Sequence, residues 1–169
     1  MAPKAFITGV AQEQLSADER AFLRAEQPWG FILFKRNISD PAQVTDLVGE
    51  MRACVGRDDA PVLIDQEGGR VQRLRPPHWP EYPRGQQFAD LYDIEPRLGL
   101  RAAALSAQLI ACDLLDLGID VDCLPLADVV VEGADAVIGD RAYGTEPAKV
   151  AAIARAVTEG LSRGGVLPV

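Results

Sequence analysis

Histidine is nearly absent: His78 is the only one in 169 residues, and it sits in a proline-rich stretch between Pro77 and Trp79. Cysteine is scarce as well. Cys54, Cys112 and Cys123 show neither close pairing nor the spacing of a metal site. That gives no disulfide framework and suits three reduced core residues of a cytoplasmic protein. Basic charge falls short of acidic charge, with 17 Lys and Arg against 25 Asp and Glu, for a net −8. A sequence-independent nucleic-acid binder needs a basic face, and an anionic membrane surface attracts one too, so both partners are disfavoured. No apolar run reaches the length expected of a membrane span. Met1-Ala2-Pro3-Lys4 lacks the charged-then-apolar pattern of a secretory leader. No segment is of low complexity, and no repeat is visible beyond an alternation of strand and helix signals.

What is present is enough for one domain with a real core: 48% of residues are hydrophobic and 25% charged. Ala5–Val10 reads as a short apolar strand. Ser16 precedes Glu19 by three, the capping-box spacing, which predicts a helix carrying Phe22 and Leu23 inward. Residues 30–34 form a second apolar strand running into Lys35-Arg36-Asn37. Asp40-Pro41 suits an N-cap and first helical residue, and Val44, Leu47, Val48 and Met51 then fall on one helical face. Pro61–Ile64 is the third strand. A long proline-rich connection follows, residues 66–92, of a length usually found only in functional loops. Next comes a helix with Leu98, Ala102, Leu105, Leu109 and Cys112 along one stripe, expected to face the core and to end near Gly118. Ile119–Leu124 is the fourth strand. The last helix starts near Thr145, buries Val150, Ile153, Val157 and Leu161, and stops at Gly164-Gly165; Val166–Val169 opens a fifth strand.

Strict β-α alternation predicts a parallel sheet with helices packed outside it. Polar clusters follow strands two, three and four: Lys35-Arg36-Asn37, Asp65-Gln66-Glu67 and Asp128. That is the carboxyl rim, where barrels and doubly wound sheets alike build their sites. The first strand runs into Val10-Ala11-Gln12-Glu13, not a glycine-rich phosphate loop, and Gly68-Gly69-Arg70 is no dinucleotide fingerprint. A barrel is therefore favoured over a doubly wound sheet.

The central stretch is Val62-Leu63-Ile64-Asp65-Gln66-Glu67-Gly68-Gly69-Arg70-Val71-Gln72-Arg73. A buried strand runs straight into charge, and two glycines then allow a tight turn. Asp65 and Glu67 would share one side if the strand continued through them, with the forked donors of Arg70 and Arg73 close by.

This stretch, together with Ile32-Leu33-Phe34-Lys35-Arg36-Asn37 before it and Ile138-Gly139-Asp140-Arg141-Ala142-Tyr143-Gly144 after it, resembles glycoside hydrolase family 3 in order and spacing. It is most similar to that family's bacterial cytosolic β-N-acetylglucosaminidases. The resemblance covers nearly the whole chain. It implies a (β/α)8 TIM-type barrel, of which residues 1–169 are the N-terminal half: four βα units and the start of strand five. It implies removal of non-reducing β-linked N-acetylglucosamine from peptidoglycan fragments by a retaining mechanism, with no metal or organic cofactor. By position, Asp65, Arg73 and Arg141 would hold the sugar. An ionised carboxylate or a guanidinium fork can engage two vicinal hydroxyls at once. Glu67, Arg70 and Asp128 would orient them or brace the loops.

The family's acid/base histidine, in a Lys-His-Phe-Pro-Gly-His-Gly-like segment, and its aspartate nucleophile are expected after Val169. No catalytic residue falls within 1–169, and His78 matches no family position. Retaining hydrolysis needs both a nucleophile and a proton donor, so the 169 residues are expected to be inactive. As half a barrel they would expose two sheet edges and could self-associate through them. Two rivals remain: a magnesium-dependent barrel using Asp65, Glu67, Asp128 and Asp140 as oxygen ligands, and a non-catalytic carbohydrate-binding or assembly module.

Overall fold

The computed structural model describes residues 2–133 and 135–169. The chain order is β1 (Lys4–Thr8), α1 (Ala17–Glu26), β2 (Pro28–Leu33), α2 (Pro41–Val55), β3 (Val62–Ile64), β4 (Gln66–Gly68), β5 (Val71–Gln72), α3 (Gly85–Ile94), α4 (Pro96–Leu115), β6 (Val121–Asp122), α5 (Pro147–Arg163) and β7 (Leu167–Pro168). Single turns of 3-10 helix occur at Lys35–Asn37 and Gly139–Arg141. Five strands form one parallel sheet in the order β1-β2-β3-β6-β7, and β4 and β5 make a separate antiparallel hairpin. The sheet follows chain order from edge to edge and does not close on itself, an open portion of a barrel with β1 and β7 outermost.

Local chemistry sets the elements. Ser16 Oγ accepts the Glu19 N–H while the Glu19 carboxylate accepts the Ser16 N–H, the reciprocal cap foreseen for α1. Leu23 goes inward, but Phe22 is left 47% exposed. Asp40 caps α2 through the Gln43 N–H at 3.0 Å, with Pro41 at the first helical position. Val44, Leu47, Val48 and Met51 are buried as expected, and so are Val150, Ile153, Val157 and Leu161 of α5. The long connection is shorter than the sequence suggested. Residues 85–94 form α3, whose ten residues offered too brief a periodic signal to stand out.

α4 reverses the expected face. Leu98, Leu105 and Leu109 are half or more exposed, and Cys112 is exposed. The side turned to the core is Gly99, Ala103, Ala107, Ile110, Ala111 and Leu114. The reason is close helix packing. A Cβ built on Gly160 of α5 would stand 2.3 Å from the Ala104 carbonyl oxygen, and one on Gly164 would stand 2.3 Å from Ala111 Cβ. Such an approach needs small residues on both helices, so the leucines are turned outward. Cys112 is therefore not a core residue and Cys123 is only partly covered, whereas Cys54 is buried as expected; all three are free thiols. α4 is also long and apolar enough by composition to cross a membrane, contrary to the impression from the sequence, but its small-residue face lies packed within the protein.

Gly160→Ala measures that packing. Alanine adds about 1 kcal/mol of helix propensity, and the clash with a backbone oxygen costs up to about 3. A net loss of about 2 kcal/mol in chemical denaturation is expected. An unchanged midpoint would mean that the two helices are not so closely apposed.

The candidate carbohydrate site at the carboxyl rim

The site grows from the end of β3. Asp65 is the first residue past the buried Val62-Leu63-Ile64 and does not continue the strand. The chain turns instead into the β4–β5 hairpin, which folds Arg73 back over Asp65; Arg73 Nη2 donates to Asp65 Oδ2 at 2.6 Å. Both side chains stay about one-quarter exposed, open to a ligand. Gly68 and Gly69 have φ of +91° and +56°, as the tight turn requires. A Cβ on Gly68 would lie 2.2 Å from the Pro83 carbonyl oxygen, and the Gly69 N–H donates to the Tyr82 oxygen at 2.8 Å. The hairpin is thus locked against the following loop.

Two glutamines that the sequence reading passed over hold this arrangement. Gln66 is fully buried. Its Oε1 accepts the N–H groups of Arg73 (2.9 Å) and Leu74 (3.0 Å), and its Nε2 donates to the Leu74 oxygen at 3.1 Å. One side chain therefore fixes the backbone of the arginine that reaches Asp65. Gln72 donates to the Leu74 and Pro80 oxygens and accepts the Tyr82 N–H at 3.0 Å. The only sign of them in the sequence was that they flank the glycine turn.

Glu67 points elsewhere than Asp65. It receives both arms of Arg141, Nε to Oε2 at 2.8 Å and Nη2 to Oε1 at 2.7 Å, a bidentate pair whose carboxylate side chain is only 8% exposed. That hydrogen bonding holds the Arg141 guanidinium above its usual pKa. Arg141 arrives from the turn Gly139–Arg141, which is pressed against the start of α3. Three of the expected residues, Asp65, Arg73 and Arg141, thus sit on one stretch of rim, with Glu67 bracing the third. Arg70 does not join the two carboxylates. It reaches Asp140 at 3.1 Å and donates to the carbonyls of Val137 and Ile138. Asp128 is exposed, close enough to favour the charged form of Arg141. His78 lies elsewhere, edge-on to Trp79 in a cavity of about 580 Å³ shared with Asp46, Asp113 and Asp116.

Beneath the site is a second surprise. Asp122, the last residue of β6, is fully buried. Its Oδ1 accepts the Gln66 N–H at 3.0 Å, while Oδ2 has no hydrogen-bond partner among the described residues. Burial, reinforced by the charges of Glu67 and Asp65, pushes its pKa well above the ordinary carboxylate range. Cys123 beside it is pushed up to about 12, by burial first and then by Asp65 and Asp122, so its thiol is unreactive at neutral pH. An acid raised on folding stabilises the protein most below its unfolded pKa, and that stability is lost as pH rises through the folded value. Wild-type stability is therefore expected to fall from pH 4 upward, and Asp122→Asn, which keeps the oxygen facing Gln66, to flatten that slope. The same change in urea midpoint between pH 5 and pH 8 for wild type and Asp122→Asn would contradict a buried, neutral Asp122.

A polyhydroxylated ligand suits such a rim: acceptor oxygens on Asp65, forked donors on Arg73 and Arg141, and braces behind them. A divalent cation suits it less. Asp65, Glu67 and Asp140 are each engaged by arginine, and the described residues contain no cluster of three metal-ligating side chains.

Comparison with known proteins agrees with this fold. The model described as "Glycosyl hydrolase family 3 N terminal domain" matches residues 5–169. A Beta-hexosaminidase of Xanthomonas campestris pv. campestris (strain B100) is 37% identical over 160 residues, covering 95% of this chain and 47% of its own length. One from Methylococcus capsulatus is 39% identical over 156 residues, 92% of this chain and 45% of its own. NagZ from Neisseria gonorrhoeae, solved in complex with N-trifluoroacetyl-D-glucosamine, superposes with a TM-score of 0.90 at 30% identity, over 98% of this chain and 49% of that one. The chain spans about half the length of the curated relatives it matches.

Proposed function

The chain belongs to glycosyl hydrolase family 3, and from that premise we propose that it is the N-terminal half of a single barrel domain in a β-N-acetylhexosaminidase acting on non-reducing terminal β-linked N-acetylglucosamine. The observation that carries the reading is the rim itself. Two ion pairs, Asp65 with Arg73 and Glu67 with Arg141, stand beside each other past the carboxyl end of β3. The N-trifluoroacetyl-D-glucosamine complex of the Neisseria protein supports an N-acetylglucosamine-like ligand. In this reading Asp65, Arg73 and Arg141 hold the sugar hydroxyls, Glu67 fixes Arg141, Arg70 ties down the 137–140 loop, and Asp128 adds negative potential beside Arg141. The substrate is a peptidoglycan fragment carrying that sugar, and the site of action is the cytoplasm, which three free cysteines suit.

Both carboxylates at the rim are committed to arginines, and among the described residues His78 lies elsewhere, beside Trp79. We therefore assign the 169 residues a binding role, with nucleophile and proton donor supplied by further strand-end loops of a closed barrel. The test is turnover of an aryl β-N-acetylglucosaminide by the protein containing this sequence and by residues 1–169 alone. Turnover by the first and none by the second is expected; hydrolysis by residues 1–169 would overturn the assignment. A second reading is that the open sheet edges associate. It is favoured by the exposed apolar side chains Ile7 on the edge strand β1, with Trp29 of β2 beside it, and Leu167 and Val169 at the other edge.

A further inference from the structure

α4 carries a surface that neither the core nor the rim uses. Ile94, just before it, is 80% exposed, Leu98 53%, Leu105 50% and Leu109 59%, with Cys112 exposed in line with them and Leu115 beside. The positions 98, 102, 105, 109 and 112 repeat at intervals of four and three, with Ala102 half-buried at the border with the core. That is the seam along which two helices interlock knob into hole. From Leu98 to Cys112 of this 20-residue helix the seam is about 21 Å long. Contiguous apolar surface of this kind is uncommon on a protein that buries it nowhere.

Its neighbours narrow the occupant. α4 sits in the helical layer between α3 and α5, and it connects β3 to β6 in the middle of the sheet. Strands that extend the sheet add beyond β1 or β7, and their helices beside α1 or α5. None of them covers the outward side of α4. At the N-terminal end Asp93 and Glu95 are taken up by Lys149 and by the Arg97 N–H, leaving Arg97 and Arg101 exposed there, and Asp116 is exposed just past the C-terminal end. Such a helix is complementary to itself turned end for end.

We propose that the outward face of α4 is a two-fold interface with a second copy of this chain, the two helices antiparallel and crossing at the level of Ala107. In that register Leu105 of one copy meets Leu109 of the other, Ala102 meets Cys112, and Leu98 meets Asp116, which brings Arg97 and Arg101 within reach of that carboxylate. The interface is isologous, the commonest form of protein self-association. Repulsion between two copies of net charge −8 is screened by salt over about 8 Å at physiological ionic strength, so association strengthens as salt is raised from low levels. The interface does not depend on the carbohydrate reading.

Sedimentation velocity on the full chain tests it, at about 50 μM because a single-helix seam belongs to the small-interface class. The expected result is a reversible dimer that Leu109→Glu weakens at least tenfold while far-ultraviolet circular dichroism is unchanged, since Leu109 is 59% exposed. A second variant reads the register. Ala102→Cys places a thiol opposite Cys112 of the other copy, so mild oxidation yields a disulfide-linked dimer that Cys112→Ser abolishes. A monomer at this concentration overturns the proposal. So does a dimer untouched by Leu109→Glu, which would assign association to the sheet edges, or an oxidised Ala102→Cys protein that stays monomeric.

Discussion

Asp65→Ala is expected to weaken binding of N-acetylglucosamine by about 100- to 10,000-fold. Two hydrogen bonds from sugar hydroxyls to an ionised acceptor are worth about 1.5–3 kcal/mol each, and each 1.4 kcal/mol is tenfold. The loss is compounded because Arg73 Nη2, which donates to Asp65 at 2.6 Å, is left partly covered with no carboxylate to meet it. Folding should be little affected: the pair is about one-quarter exposed, and the hairpin is held by Gln66 and Gln72. Isothermal titration with N-acetylglucosamine checks the affinity and denaturation checks the fold. A variant that binds sugar normally would move the site away from Asp65. A variant that fails to fold would mean that Asp65 is a structural ion-pair partner.

Gly85→Ala has the largest expected effect on stability, and it reaches the site from behind. Gly85 is the first residue of α3, and a Cβ there would stand 2.0 Å from the carbonyl oxygen of Arg141 and 3.2 Å from the Tyr143 ring. The obstacle is backbone, which cannot swing aside like a side-chain tip. Either α3 or the turn 139–141 must shift. A cost of about 3 kcal/mol is expected, at the upper end for overpacking a close-packed contact. Displacing the turn also moves Arg141 relative to Glu67, whose bidentate geometry tolerates little error. Sugar affinity should therefore fall together with stability. An unchanged melting temperature and unchanged affinity would mean that the turn adapts freely and that α3 does not position Arg141.

These two residues divide what the sequence revealed from what it hid. Asp65 was legible because an apolar strand running into charge marks a carboxyl rim, and because its motif is specific. The parallel order of the main strands was legible from β-α alternation, and α1 and α2 from their caps. Gly85 was hidden because nothing local signals that a helix start will touch the backbone 56 residues later. Gln66 and Gln72 were hidden for the same kind of reason. An amide that satisfies backbone groups in a turn looks, in sequence, like any surface glutamine. Asp122 could have been suspected: a carboxylate inside Ile-Asp-Val-Asp-Cys-Leu, on a strand covered on both faces, has nowhere polar to go. α4 failed differently. Its leucines made the strongest apolar stripe, but the interior of a close helix pair selects glycine and alanine, so hydrophobic size pointed to the wrong face.

The most direct measurement is a crystal structure of the protein with N-acetylglucosamine bound. The sugar is expected at the carboxyl ends of β3 and β6, with its hydroxyls within hydrogen-bond distance of Asp65 Oδ, Arg73 and Arg141. A sugar seated in the cavity beside His78 and Trp79, or one that leaves all three of those side chains untouched, would contradict the assignment of the rim as the carbohydrate site.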